Sequence, residues 1–193
     1  MNPAVAAQAL RADCAGGLGR RFGSLLWTMK GGMQVEIRPI QPSDEQRMVK
    51  FHKGLSERSV YMRYFESLSF AARTAHPRLA QICFADPERQ TVLVALDRDS
   101  ESDEQRIMAV GRLSKLSDPS KAEVALLVLD EFQGRGLGTE LLRQLIQSAR
   151  NQQIIQIEAE MLRDNIPIQR VLKKVGFHLR LIDPRSVQAV FNL

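Results

Sequence analysis

Residues Leu126 to Thr139 read Leu-Leu-Val-Leu-Asp-Glu-Phe-Gln-Gly-Arg-Gly-Leu-Gly-Thr, an apolar run that enters a glycine-alternating loop and leaves it as a helix. Glycines at Gly134, Gly136 and Gly138 let a main chain bend tightly and bring unshielded N–H groups against a large anion. From Leu137 the apolar residues recur at Leu141, Leu142, Leu145, Ile146 and Ala149, while Glu140, Arg143, Gln144, Gln147 and Arg150 take the other face. A helix therefore starts where the loop ends, and its orphan N–H donors and positive dipole end face whatever the loop holds. The segment reads as a pyrophosphate cradle.

Spacing separates the motifs that compete for such a loop. A Walker A loop needs a Lys-Ser or Lys-Thr after its last glycine, and none follows here. A dinucleotide fingerprint needs a third glycine where Thr139 stands, and it opens the first βαβ unit rather than lying late in the chain. What remains is Q-x-x-G-x-G, met by Gln133, Gly136 and Gly138. The plain alternative is a glycine-rich turn with no ligand; the buried-type strand before it and the amphipathic helix after it favour the cradle.

At 193 residues, 44% apolar and 25% charged, the chain suits one globular domain. No apolar run approaches a membrane span. The net charge of +5 hints at nucleic acid until it is divided: Arg11, Arg20, Arg21 and Lys30 against Asp13 leave only +2 for residues 33–193. With no basic helix bearing interleaved aromatics, neither nucleic acid nor membrane is expected as a partner. Cys14 and Cys83 form no disulfide framework, and His52, His76 and His178 lack metal spacing, so no metal is expected and a reducing cytoplasm fits best.

Residues 1–32 are rich in Ala, Gly and Arg without periodicity, and read as a disordered tail before a single domain over 33–193. No secretory signal pattern is present, and Met29 and Met33 are alternative starts. A strand is predicted at Met33–Ile37, then a helix to about Leu55 capped by Ser43 with Gln46 three positions on. Ser56 caps a second helix, Glu57 to about Phe65, and Pro77–Ile82 adds a short turn of helix. Strands follow at Thr91–Leu96, Ile107–Leu113 and Ala122–Leu129, with Asp97–Arg106 as a charged surface loop and Ser117–Ser120 as a turn. After the glycine loop and its helix come a strand at Ile154–Ala159 and a helix at Ile166–Val175 ended by Gly176. Strands at Phe177–Ile182 and Val187–Phe191 close the chain. This order predicts an α/β (α+β mixed) fold, a central mostly antiparallel mixed sheet of six to seven strands flanked by about four helices.

The loop Gln133–Gly138 resembles the acetyl-CoA pyrophosphate loop of the GNAT superfamily of N-acetyltransferases, and the order of elements is that of the GNAT fold. Asn165 with Val175-Gly176-Phe177 looks like the ending of the superfamily's second cofactor-binding segment. In the first half, Ile37-Arg38-Pro39-Ile40 with Asp44, then Gly54 through Phe65, resembles the GNAT domain of bacterial Pat-type protein-lysine acetyltransferases. The nucleotide-sensing and synthetase-like domains that often accompany such enzymes are not in this sequence, so their regulation does not carry over.

The resemblance implies acetyl-CoA as co-substrate and acetyl transfer by direct attack of an amine, with protein lysine as the preferred acceptor. A lysine ammonium with a pKa of about 10.4 costs roughly 4.6 kcal/mol to deprotonate at neutral pH, so a base is useful. A family glutamate on the strand feeding the loop fills that role, which falls here to Glu123, ten residues before Gln133. By alternation it shares a face with Ala125 and Leu127. The plain reading is a solvated residue at a strand edge. The family also implies a sheet splayed between this strand and Ile154–Ala159, with pantetheine along Leu127, Val128 and Leu129 and the Leu127 amide polarising the thioester carbonyl. Gln133, Gly134, Arg135, Gly136, Leu137, Gly138 and Thr139 bind the pyrophosphate, with Arg135 as a phosphate contact. Asn165 contacts the pantetheine arm, or simply caps a helix. Tyr61, Arg63 and Tyr64 line the acceptor side, or belong to the core and solvated face of a short helix.

One departure stands out: where many members place a tyrosine to protonate the departing thiolate, this chain has Leu172. Solvent can protonate a thiolate, so the loss does not exclude catalysis. Two other readings stay open, a small-molecule amine or polyamine acceptor, and a catalytically silent acyl-CoA-binding module.

Overall fold

The apolar runs and alternations just described gather into one sheet. The computed structural model describes residues 23–98 and 105–193. Its strands are β1 (Leu25–Thr28), β2 (Gln34–Pro39), β3 (Gln90–Asp97), β4 (Ile107–Lys115), β5 (Lys121–Val128), β6 (Gln156–Leu162), β7 (His178–Leu181) and β8 (Ser186–Asn192). They pair in the order β1-β2-β3-β4-β5-β6-β8-β7. Every neighbouring pair is antiparallel except β5 with β6. A parallel pair needs a crossover, and α5 (Leu137–Asn151) supplies it.

Helices cover both faces, which is why β3 is buried without a break from Val92 to Leu96. Helix α5 packs over β3, β4 and β5, with α6 (Ile166–Val175) beside it. Its close approach depends on Gly111, where a Cβ would stand 2.9 Å from Leu145 Cδ1 and 3.0 Å from Leu126 Cδ2. Those contacts also place Leu126, and by alternation Val124 and Ala122, on the α5 face of β5. Glu123, Ala125 and Leu127 point to the other face, where α1 (Glu45–Lys53) and α2 (Glu57–Tyr64) pack with α3 (Phe70–Thr74) and α4 (His76–Cys83).

Three features differ from expectation. Leu25–Thr28, placed by sequence in the tail, is an eighth strand paired to β2; residues 1–22 lie outside the described residues, as does most of the 97–106 loop. Among the described residues the α-helices number six because the stretch after α2 breaks into two short pieces, α3 capped by the Ser69 hydroxyl and α4 opened by Pro77. Ser43 is exposed rather than capping. A short 3-10 turn, Pro42–Asp44, precedes α1, and the Asp44 carboxylate takes the Gln41 N–H at 2.8 Å.

Asp44 is fully buried, a better acceptor than a hydroxyl because two arginines neutralise it. Arg38 grips both its oxygens, at 2.7 and 2.8 Å, and Arg47 adds a third contact at 2.9 Å. The carboxyl is held below the usual carboxylate range: burial works against ionisation, and the bonds from Arg38, Gln41 N–H and Arg47 outweigh it. This cluster pins the start of α1 to β2.

Candidate active site

Strand β5 has two different edges. Its β4 edge is paired along the whole length, from Lys115↔Ala122 to Ala109↔Val128. Its β6 edge is paired only from Lys121↔Gln156 to Glu123↔Glu158, after which the strands separate. The expected splay is present, and it opens at Glu123. A cleft fills the gap, lined by residues 123–126 of β5, 159–161 of β6, Met62, Arg63 and Phe65 at the end of α2, and Asn165, Ile168 and Leu172 of α6.

Alternation decides which backbone groups face the gap. The Leu129 N–H donates to Met108 O at 2.9 Å, on the β4 side, so Leu127 and Ala125 also turn their N–H and C=O to β4. The Leu127 amide is therefore committed to the sheet and is not the donor expected from sequence. The groups left on the open edge are the Val124 C=O, the N–H and C=O of Leu126 and the Val128 N–H. The Val128 carbonyl confirms the direction, since it accepts from Gln133 Nε2 at 3.1 Å outside the ladder.

At the C-terminal end of β5 the loop is fixed from both sides. Asp130 accepts from Ser56 N–H (3.0 Å), Ser56 Oγ (2.7 Å) and Ser59 Oγ (2.8 Å), which ties the loop to the start of α2. Burial opposes its ionisation, yet those bonds hold its carboxyl below the usual range. Gln133 spans Val128 O and Ser59 Oγ, so its side chain fastens the loop to β5 and α2. Arg135 is exposed, its guanidinium 5.7 Å from the Phe132 ring centroid.

Gly134 (φ +74°) and Gly136 (φ +95°) occupy left-handed backbone that only glycine adopts freely. Gly138 lies within α5 and has no such need; a Cβ there would meet only Val128 Cγ2 at 3.6 Å. Among the described residues, no N–H from Gly134 through Thr139 has a protein acceptor, and the first to close the helix is Glu140 N–H on Gly136 O at 3.1 Å. Consecutive free donors at the start of a fifteen-residue helix form an anion cradle.

Sequence reasoning missed one neighbour of this cradle. Strand β1 carries Trp27, half-buried, so that a Cβ on Gly136 would lie 3.6 Å from Trp27 Cη2. A short Leu-Leu-Trp-Thr run beside glycines carries no periodic signal; only its pairing with β2 reveals it.

Glu123 is exposed in the cleft, with no hydrogen bond or ion pair among the described residues. Asn165 caps α6, accepting from Ile168 N–H at 3.5 Å, and its amide lies 3.5 Å from Met62 O, joining α6 to α2. Phe65 ends α2 in left-handed backbone (φ 64°), unusual for a bulky side chain, which sets it at the cleft. Leu172 is core, 1% exposed, and offers no acid.

An open strand edge thus runs into a helix-borne anion cradle, with a carboxylate at the point of divergence. The chain belongs to the GNAT acetyltransferase family, whose domain, described as Acetyltransferase (GNAT) domain, matches residues 34–178. It is 28% identical to Acetyltransferase PA5475 of Pseudomonas aeruginosa over 123 residues, 64% of this chain and 63% of that protein. It is also 28% identical to Acetyltransferase Pat of Mycolicibacterium smegmatis over 149 residues, 77% of this chain and 42% of that protein. The chain thus spans less than two thirds of the length of both relatives. The GNAT domain of S. lividans PAT superposes with a TM-score of 0.78 at 25% identity, covering 88% of this chain and 97% of that domain.

Proposed function

We propose that the chain moves an acetyl group from acetyl-CoA to a protein lysine by direct attack of the amine. The observation that carries the reading is the coincidence, on one strand, of the unpaired β5 edge, the free amides at Gly134–Thr139 and Glu123 at the divergence. The free edge fits pantetheine, which pairs with strand backbone, and the cradle fits a pyrophosphate. Acetyl-CoA supplies the activated acyl thioester.

Within that site Val128 and Val124 offer backbone groups to the arm, and the Leu126 N–H takes the polarising role assigned by sequence to Leu127. A donor fixed before charge develops contributes more than one that must reorient. Glu123 takes the ammonium proton, directly or through water, so that a neutral amine attacks. Leu172 leaves the thiolate to solvent. The resemblance of the first half to Pat-type protein-lysine acetyltransferases favours lysine over a small amine, and the similarity to Acetyltransferase Pat and to the S. lividans PAT domain agrees with that resemblance.

Incubation of the purified protein with acetyl-CoA and whole-cell lysate, followed by mapping of acetyl-lysines, tests this. New acetyl-lysines dependent on Glu123 are expected. Turnover of a small amine with no modified protein overturns the acceptor, and acetyl-CoA binding without CoA release on any amine overturns catalysis.

A further inference from the structure

Beside Glu123 stands a group of cations with nothing to hold. Arg63 of α2 lines the cleft, and its guanidinium lies 5.2 Å from the centroid of the Tyr64 ring; Arg78 of α4 lies 4.8 Å from the same ring. Arg112 of β4 points to this face and is within electrostatic reach of Arg63, as are Arg78 and Glu123. All three are half-buried. None has a hydrogen-bond acceptor or a carboxylate at ion-pair distance among the described residues. Elsewhere the chain pairs arginines it buries: Arg38 and Arg47 share Asp44, and Arg73 reaches Glu57.

Three like charges gathered at a half-dry surface repel one another and forfeit part of their hydration, so the arrangement is stabilised when an anion arrives. A planar guanidinium stacked on an aromatic ring keeps its edge N–H groups directed outward, in the fork that matches a carboxylate. The same cleft also carries two carboxylates, Glu123 and Glu160. The site is bipolar: carboxylates where an ammonium must lose its proton, guanidinium groups a short way along the same face.

We infer that Arg63, Arg78 and Arg112 form a carboxylate subsite for the acceptor, so that the preferred acceptor is a lysine flanked in its own sequence by aspartate or glutamate. The inference rests on the reading of Glu123 as the amine end. Only Arg63 touches the cleft between β5 and β6; Arg78 and Arg112 lie along the α2 and α4 side, which places the anion on the acceptor rather than on the acyl group.

Two peptides test it, identical around one acetyl-lysine and differing only in flanking Glu or Gln, with affinity for the full chain measured by fluorescence anisotropy. The Glu peptide should bind at least tenfold tighter. Arg78→Gln and Arg112→Gln, made separately, should bring it to the level of the Gln peptide while leaving the Gln peptide's own affinity unchanged, which also shows that the variants fold. Equal affinities, no measurable binding of either peptide, or a preference surviving both substitutions overturns the subsite.

Turnover of the unacetylated pair and of free lysine with acetyl-CoA, and of the Gln peptide with succinyl-CoA, locates the carboxylate. A rate gain for the acid-flanked peptide supports the inference; a gain confined to free lysine or to succinyl-CoA overturns it in favour of a small acceptor or an acidic acyl group. Arginine-dependent binding without any turnover leaves the subsite standing and removes the transfer reading. Turnover without preference does the reverse.

Discussion

The two halves of the cleft are built from different materials. On the side proposed for the donor the groups are backbone: the open edge of β5 and the unsatisfied amides from Gly134 to Thr139, all from one stretch of chain. On the side proposed for the acceptor they are side chains, Glu123 with Arg63, Arg78 and Arg112, carried by β5, α2, α4 and β4. Backbone donors accept any donor with the right arm and phosphate. Side chains select, and they can change without disturbing the fold that holds the donor.

If that division is real, removing a charge on the acceptor side should abolish turnover without touching acetyl-CoA. Glu123→Gln keeps the shape and loses the base. We expect turnover to fall by about 10³-fold, within the range general base catalysis contributes, with acetyl-CoA affinity unchanged by isothermal titration. A parallel loss of affinity would merge the two halves.

The acceptor side also depends on a buried charge for its position. Asp44→Asn leaves Arg38 and Arg47 facing a neutral amide at a fully buried site, with an expected loss of about 3 kcal/mol by urea unfolding. The pH dependence has a definite sign. A carboxyl whose folded pKa lies below its unfolded value stabilises above the unfolded value of about 3.9, and that contribution is lost as pH falls through the folded pKa. The wild type should therefore lose stability faster than the variant on acidification below pH 4. Curves that stay parallel would remove Asp44 as the anchor.

The same division explains what was legible in the sequence. The glycine loop, its strand and its helix are contiguous, so spacing alone located the turn at the end of β5 and the helix start at Leu137. The choice between Leu126 and Leu127 was not legible, because it turns on which edge of β5 meets β4, a fact set by Met108 O some twenty residues away. Alternation gave the face of Glu123 and said nothing of which neighbour paired. Arg63 was expected on the acceptor side, but its companions were hidden for a like reason: α2, α4 and β4 meet only in three dimensions, and in sequence Arg78 and Arg112 are ordinary charges on their elements. Ser43 looked like a cap because a buried Asp44 with two arginine partners is invisible until β2 folds beside it.

On the donor side smaller effects are expected, and they should appear in affinity alone. Gly136→Ala places a Cβ at φ +95°, where an L-residue costs roughly 1–2 kcal/mol, so acetyl-CoA should bind roughly tenfold more weakly. Turnover at saturation should change less than twofold. A fall in saturated turnover would show that the cradle also aligns the thioester, and the two halves would no longer be separable by kinetics.

The smallest effect concerns the part of the donor side that comes from outside the matched family domain. Trp27 lies on β1, ahead of residue 34, and its ring packs beside Gly136. A half-buried ring against a left-handed glycine restricts the loop on the one side that neither Asp130 nor Gln133 ties down. In Trp27→Ala the loop gains conformations that do not bind, and apparent affinity falls in proportion to the competent fraction, about threefold if two thirds of the population is lost. Trp27→Phe, which keeps an aromatic wall, should recover most of it. Saturated turnover and the selection of acceptors should be unaltered in both, because no contact runs from Trp27 to Arg63, Arg78 or Glu123 among the described residues. Equal losses for Ala and Phe would mean that β1 contributes only stability.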